Sequence, residues 1–362
     1  MNKKELFIGL MSGTSLDGVD IVLCEINAKE CKLLHTKEYP FPSALKEQVL
    51  HTISSSITLQ TVGMLDHKLG KLFAESIEKF LKEFELNAKD IKAIGLHGQT
   101  LWHQPESKTP FSMQLGDANI VCSETNIQTV ADFRRMDIAN GGQGAPFAPA
   151  FHKFAFAGLG SGVCVVNIGG MANITLLDEP LRGWDSGCGN VLLDYWIAKT
   201  QKQTYDRDGE YARSGELNSA LLNAMLEDPY FQKEPPKSTG REYFNTKWLE
   251  NILSKFEPLQ AQDIQRTLLE LTAKSISNEI KNHNIKTIIL CGGGAKNSFL
   301  VERLQEISST NVKRSNDLGV DSDSLEAMAF AWLAYKRVHR EVVELKNVTG
   351  ARKNSLLGGI YK

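Results

Sequence analysis

What the chain lacks narrows its function before any motif is considered. It has no excess of charge: 41 Lys and Arg stand against 43 Asp and Glu in 362 residues, a net charge of −2, and the basic residues form no dense stripe. That counts against nucleic acid as a partner and for a small molecule. No apolar run approaches the roughly 18 residues of a membrane span. The apolar run after Lys3 and Lys4 is cut by Ser12 and Gly13 before it reaches signal-peptide length. The expectation is a soluble, cytoplasmic protein with no membrane partner. The six cysteines (Cys24, Cys31, Cys122, Cys164, Cys188, Cys291) include no Cys-x-x-Cys pair, which suits reduced thiols and not disulfides or a zinc site. No linker or low-complexity segment interrupts the chain. Residues 233–241, with Pro235, Pro236, Ser238, Thr239 and Gly240, form the clearest irregular loop, equally readable as a plain surface turn.

What is there begins with length. At roughly 150 residues per domain, the chain should form two domains with a ligand cleft between them. Strand-like and helix-like stretches alternate, which predicts an α/β protein. Residues 91–96 and 163–168 read as strands ending in polar or glycine-rich turns. Residues 263–280 keep helical spacing and are followed by a strand at 287–291, the turn Gly292-Gly-Gly-Ala-Lys-Asn297 and a helix at 298–307. A late helix at 324–340 carries Leu325, Met328, Ala329, Trp332 and Leu333 on one stripe, which reads as core packing.

The segment Gly9-Leu-Met-Ser-Gly-Thr-Ser-Leu-Asp-Gly-Val-Asp20 is the most informative. Its apolar flanks, 7–11 and 19–26, predict a hairpin. The turn between them offers an anionic oxygen what it needs: backbone approachable at Gly13 and Gly18, and the hydroxyls of Ser12, Thr14 and Ser15. It is neither a Walker A loop nor a GxGxxG fingerprint opening a helix, and a ligand-free hairpin is the alternative. The design of strand, small-residue turn and strand recurs about 155 residues later, at 163–177, around Gly169 and Gly170. Two such hairpins suggest a duplicated architecture with a phosphate-gripping turn from each half; in a ribonuclease-H-like duplicated fold those turns face each other across the interdomain cleft. The glycines Gly292, Gly293 and Gly294 would then form a nucleoside wall.

Several side chains bear chemistry. Asp185, in Gly183-Trp-Asp-Ser-Gly-Cys-Gly-Asn190, reads as sitting on a glycine-rich turn entering a helix, where it serves either as a general base or as a turn-forming Asp. His97 and His103 flank Gln99 and Trp102, a polar and aromatic set that suits a sugar, although a satisfied histidine is the commoner case. Arg134 and Arg135 lie beside the glycine-rich segment 141–146 and would suit a substrate carboxylate, or else an internal salt bridge to Asp132 or Asp137. Glu326 opens the late helix, either orienting a substrate hydroxyl or favouring the helix N-terminus. For magnesium there are ordinary carboxylates only, Asp17, Asp20 and Asp185, and such an ion is usually held by one or two of these with phosphates and water.

Taken in order, these motifs resemble the anhydro-N-acetylmuramic acid kinases, sugar kinases of the actin, Hsp70 and hexokinase-like superfamily. The resemblance runs nearly end to end, through Met11-Ser-Gly-Thr-Ser-Leu-Asp-Gly-Val-Asp20, His97-Gly-Gln-Thr100, Ala131-Asp-Phe-Arg134, Gly141-Gly-Gln-Gly-Ala-Pro146, Asn167-Ile-Gly-Gly-Met-Ala-Asn173, Asp185-Ser-Gly, Pro236-Lys-Ser-Thr-Gly-Arg-Glu242, Cys291-Gly-Gly-Gly294, Glu326-Ala and Val348-Thr-Gly-Ala351. It implies a duplicated actin-like ATPase fold, with one domain over 1–133 and about 345–362 and the other over 134–344. It also implies an ATP-dependent transfer of phosphate to 1,6-anhydro-N-acetylmuramic acid, with water opening the anhydro ring and Asp185 as the base. By the same resemblance Ser12, Gly13, Thr14, Ser15, Asp17, Gly18, Asp20, Gly169, Gly170, Asn173 and Gly292 to Gly294 bind ATP, with Mg2+ carried on its phosphates. Arg134 pairs with the lactyl carboxylate, and His97, Gln99 and Glu326 hold the sugar. A homodimer is what the family suggests. The sequence departs from the pattern at Cys188, which replaces a proline of Asp-Thr-Gly-Pro-Gly-Asn and is oxidisable if exposed, and at Asn140, which replaces a small apolar residue. A kinase of another amino sugar without ring opening, or an ATP-binding switch without a substrate, are the competing readings.

Overall fold

The computed structural model describes residues 4–13, 16–235 and 237–362. The chain forms two compact units, one of residues 1–156 and 324–362, the other of residues 157–323.

Among the described residues of the first unit, the strands before the boundary are β1 (Glu5–Met11), β2 (Gly18–Ile26), β3 (Cys31–Pro40), β4 (Ile91–Leu96), β5 (Gln99–Gln104), β6 (Phe111–Leu115) and β7 (Thr129–Ala131). The main sheet has the order β3-β2-β1-β4-β7, with the C-terminal strand Gly359–Tyr361 added beyond β7. β1 pairs antiparallel with β2, and β2 with β3, while β4 runs parallel to both β1 and β7. In the second unit, β8 (Val163–Ile168), β9 (Met171–Leu176), β10 (Arg182–Cys188), β11 (Thr287–Cys291) and β12 (Asn311–Arg314) form the sheet β10-β9-β8-β11-β12. There too the first three strands are antiparallel neighbours and the last two run parallel to the first. The same order and the same directions occur twice, so the duplication inferred from the hairpin echo holds for the whole sheet. This is the ribonuclease-H-like arrangement.

Hydrophobic periodicity accounts for the core of each unit. The centres of β1 and β4 are buried on both faces and rich in Ile, Leu, Phe and Ala, as strands covered on both sides are, with Lys92 the exposed exception. One face is covered by the helix Leu59–Glu83, through Leu65, Leu69, Phe73, Ile77 and Phe80. The other is covered by the helix Leu325–Val338, which lies against the sheet at backbone distance. A Cβ on Gly9 would stand 1.9 Å from the Ala327 carbonyl oxygen, and one on Gly95 would stand 2.0 Å from that of Phe330. Glycine is therefore required at both positions for the helix to pack, and Gly9 serves the core, not the phosphate turn. This packing also explains why the first unit reclaims residues 324–344 and extends to 156, where the sequence expectation divided the domains at 133/134 and 344/345.

Two further differences from expectation are local. Residues 97–104 run into the hairpin β5-β6, a separate two-stranded sheet, whereas the sequence presents them as a polar segment. Asp185 lies within β10, not on a turn. Residues 182–188 pair with β9 despite their glycines, with a register shift between Asp185 and Gly187 that absorbs the extra residue. Cys188 is 1% exposed, and burial pushes its thiol up to about 12, so the replacement of proline leaves no reactive thiol at the site. All six cysteines are free. Among the described residues, no helix is long and apolar enough to cross a membrane.

Candidate active site

In the first unit the predicted sugar and phosphate residues gather at the C-terminal ends of β1 and β4. Ser12 is buried and its hydroxyl donates to Oε1 of Gln99 at 2.8 Å; the Gln99 amide reaches back to the Gly13 carbonyl at 3.4 Å. Ser12 and Gln99 thus brace the opening hairpin. Gln99 is only 1% exposed, so it shapes the site from behind. Asp20 is paired in register with Met11 at the hairpin's mouth. Asp17 is exposed, with Lys46 Nζ at 3.2 Å from its carboxylate. Gly18 packs against the Glu38 side chain. The candidate residues Thr14 and Ser15 lie outside the described residues.

Beside them, Arg134 and His97 form a pair. Arg134 Nη2 lies 2.8 Å from His97 Nε2, and Nη1 donates to the Gly144 carbonyl at 2.9 Å. Because a guanidinium can only donate, Nε2 of His97 is the acceptor and its proton resides on Nδ1. Burial and the Arg134 charge hold His97 well below its usual pKa, so the ring is neutral, and it packs on Phe330 at 4.6 Å. Arg134 is itself lowered to about 10 by burial and stays charged, its Nε buried with no hydrogen-bond partner among the described residues. The salt bridge weighed for it from sequence belongs to its neighbour instead: Arg135 Nη2 and Asp132 Oδ2 are 2.6 Å apart. Glu326, in the first turn of the helix Leu325–Val338, keeps solvent access; desolvation raises its carboxyl, and the Arg134 charge opposes the rise.

The loop that holds Arg134 is tied down from far along the chain. Asp137 accepts the Gly144 N–H at 2.8 Å and the Thr349 hydroxyl at 2.9 Å, and Gln143 N–H donates to the Thr349 carbonyl at 2.9 Å. Asn140, the departure from the family pattern, donates its amide to Ser355 Oγ at 2.9 Å. The unusual residue therefore has a structural use.

In the second unit, Asp185 stands in register with Asn173, which stands opposite Asn167, giving a polar row across β10, β9 and β8. Asp185 Oδ2 accepts the Thr239 N–H at 2.9 Å, and the Asp185 N–H donates to the Lys237 carbonyl at 3.0 Å. The irregular segment at 233–241, equally readable from sequence as a plain surface turn, is thus the loop that fixes Asp185. Burial pushes the Asp185 carboxyl up to about 6, with Glu242 adding to the rise and the Thr239 N–H opposing it. Behind the strand, Lys237 Nζ pairs with Glu279 Oε1 at 2.7 Å, both side chains nearly buried, and Trp184 Nε1 donates to Glu279 Oε2 at 2.8 Å. The Tyr230 hydroxyl donates to the Asp185 carbonyl at 2.8 Å. Sequence reasoning assigned no role to these supporting residues; the only signal was the pair of cations in the quoted stretch Lys237 to Glu242.

The Gly169–Gly170 turn joins β8 to β9. Its carbonyls accept from the N–H groups of Gly189, Asn190 and Val191 at 2.8 to 3.1 Å, locking it to the start of the helix Val191–Gln201. The triple glycine divides its labour. A Cβ on Gly292 would meet Asn167 Oδ1 at 2.4 Å, and one on Gly294 would meet Ile168 Cγ2 at 2.3 Å, so both allow the turn to close on β8. Gly293 instead lines a cavity of about 580 Å³ with Asn190, Leu193, Asp194, Tyr205, Asp206, Arg207, Asp208, Lys296 and Asn297. Among the described residues, no group of three or more His, Cys, Asp or Glu side chains is placed to hold a metal.

A ribonuclease-H-like sheet present twice, with a small-residue hairpin turn in each copy, puts the chain in the class of duplicated, actin-like folds. Comparison with known proteins gives the family. The family model described as anhydro-N-acetylmuramic acid kinase matches residues 5–362. The anhydro-N-acetylmuramic acid kinase of Sulfurovum sp. (strain NBC37-1) is 57% identical over 361 residues, covering 99% of both chains. That of Sulfurimonas denitrificans is 54% identical over 366 residues, covering 99% of this chain and 100% of its own. Among solved structures, component A of the (R)-2-hydroxyglutaryl-CoA dehydratase of Acidaminococcus fermentans is similar over 92% of this chain and 99% of its own, at 12% identity and a TM-score of 0.49. The chain belongs to the anhydro-N-acetylmuramic acid kinase family and is a kinase, a phosphotransferase with a sugar as acceptor.

Proposed function

We propose that the protein transfers the γ-phosphoryl group of ATP to O6 of 1,6-anhydro-N-acetylmuramic acid while water adds to C1. The new bonds are water oxygen to C1 and O6 to phosphorus. The bonds broken are C1–O6 of the anhydro bridge and the bond from the γ-phosphorus to the β,γ-bridging oxygen. The water proton goes to Asp185, and the products are N-acetylmuramic acid 6-phosphate and ADP. The observation that carries this reading is the Asp185 carboxylate. It is raised to about 6 and held by the Thr239 N–H, so it is ionised at neutral pH yet basic enough to take a proton in the transition state.

The remaining residues are given roles of binding and orientation. The hairpin around Ser12, Gly13, Asp17, Gly18 and Asp20, the turn Gly169–Gly170 and Asn173 receive the phosphates, and Gly293 with its cavity receives the nucleoside. Phosphoryl transfer asks mainly for positioning and charge neutralisation. A magnesium ion would be held by ATP phosphates and water, with Asp20 as the protein carboxylate beside it. Such an ion supplies charge neutralisation on the phosphates. Arg134, charged and with an unspent buried Nε, suits the lactyl carboxylate. Neutral His97 and Glu326 suit the sugar hydroxyls and amide. We place the reaction in peptidoglycan recycling in the cytoplasm, with the protein as a homodimer.

Incubation with ATP and the anhydro sugar in 18O-labelled water tests the reading. The expected product is a 6-phosphate carrying 18O at C1. A 6-phosphate that retains the anhydro bridge, or transfer to N-acetylglucosamine alone, overturns it.

A further inference from the structure

We propose that Arg241 is a phosphate-binding residue of this kinase, its guanidinium placed over the Gly169–Gly170 turn to take the terminal phosphates of a nucleoside triphosphate. The inference rests on the reading of that turn as a phosphate site and adds to it a cation that neither the motif nor the fold assigns.

A Cβ built on Gly170 would stand 3.4 Å from both Nε and Nη2 of Arg241, and 3.8 Å from Cζ. The part of the guanidinium nearest the turn is therefore its Nε–Nη2 edge, two parallel N–H donors that match two oxygens of a phosphate. Because Gly170 carries no side chain, the guanidinium lies close against the turn, so an anion bound by the turn would be within reach of this edge. The carbonyls of the turn are already spent on Gly189, Asn190 and Val191, so they are tied back and do not compete for the guanidinium. Arg241 is solvent-exposed, but it is not an ordinary surface arginine of this unit. Arg213, by contrast, is exposed and paired with Glu302 at 2.7 Å.

Two neighbours bind Arg241 to the rest of the site. Its charge reaches Asp194, where it opposes the rise that burial imposes on that carboxyl. Asp194 lines the same cavity as Gly293 and Asn190. Arg241 also follows Thr239, whose N–H holds the Asp185 carboxylate, and Lys237, whose carbonyl accepts the Asp185 N–H. One short loop thus carries both the support of the proposed base and the cation for the phosphates. Binding of a triphosphate by Arg241 would fix the loop and, with it, the orientation of Asp185.

The test is calorimetric binding of a non-hydrolysable ATP analogue and of AMP to the full-length protein and to the variants Arg241→Gln, Arg241→Lys and, as a surface control, Arg213→Gln. A charge-assisted hydrogen-bonded contact of about 1.5–3 kcal/mol corresponds to a loss of roughly 10- to 150-fold. The expected result is a loss of that size for the ATP analogue with Arg241→Gln, partial recovery with lysine, no change with Arg213→Gln, and AMP affinity unaltered throughout. An ATP-analogue affinity for Arg241→Gln within twofold of wild type overturns the assignment, as does an equal loss for AMP. If the wild-type protein binds the ATP analogue no more tightly than AMP, the reading of the glycine turn fails and takes the assignment with it. Tight binding by wild type without phosphorylation of the anhydro sugar overturns the proposed reaction alone and leaves Arg241 standing.

Discussion

The Thr239 N–H donates to Oδ2 of Asp185 at 2.9 Å, so the orientation of the proposed base is set by a residue 54 positions later in the chain. Asp185→Asn keeps the shape and can still accept that hydrogen bond, but it cannot take a proton. Turnover is expected to fall by about 10²- to 10⁴-fold, with ATP affinity unchanged, as read by ADP release alongside calorimetry.

The same carboxyl gives two pH dependences of opposite sense. The base acts when ionised, so kcat/KM should fall about tenfold per pH unit below about 6. Stability runs the other way. The folded pKa of about 6 exceeds the ordinary 3.8, so the fold favours the neutral form and its ionisation costs stability as pH rises between those values. Asp185→Asn should therefore be more stable than wild type above pH 6, by about 1–3 kcal/mol, with the difference gone near pH 4. Thermal unfolding at both pH values checks this.

Lys237→Met removes one partner of a buried pair and leaves Glu279 with only the Trp184 N–H. The expected cost is about 3–5 kcal/mol in denaturant unfolding. The double change Lys237→Met with Glu279→Gln should recover part of it, because no uncompensated charge then remains.

Arg134→Gln separates binding of the lactyl group from everything else. KM for the anhydromuramic sugar should rise by about 10- to 100-fold, the value of a charge-assisted contact. The corresponding anhydro-N-acetylglucosamine, which has no carboxylate, should lose far less. Equal losses for both sugars, measured by ADP release, would mean that Arg134 acts only through His97.

Gly95→Ala should cost about 3 kcal/mol or more, since its methyl would enter the Phe330 carbonyl oxygen across a backbone contact that has no side chain to repack. Gly63 offers the contrast. It lies on the exposed side of the helix Leu59–Glu83 with nothing within 4 Å of an added Cβ, and Gly63→Ala should stabilise by about 0.5–1 kcal/mol. Melting temperatures of the two variants decide the matter.

Much of this was legible in the sequence because it was periodic or repeated. The strands at 91–96, 163–168 and 287–291 appear within those bounds, and the hairpin echo exposed the duplication that the strand order then bears out. The illegible parts depended on distant partners. Glycines at 183 and 187 suggested a turn around Asp185, because pairing with β9 leaves no periodic mark in so short a segment. Arg134 and Arg135 look alike in the chain, yet one meets His97 and Gly144 while the other meets Asp132. The compact units divide the chain elsewhere than at 133/134 and 344/345, since Gly9 and Gly95 let the helix Leu325–Val338 lie on the first sheet, a contact that spans more than 200 residues of sequence.

The stitching of Thr349 to Asp137 and of Ser355 to Asn140 has a practical consequence for handling the protein. The last residues of the chain are guy-ropes for the substrate arginine, since Asp137 and Gly144 lie between Thr349 and Arg134 in one line of hydrogen bonds. Trimming the chain before residue 349 would slacken the sugar site while leaving Asp185 and its loop, in the other unit, untouched.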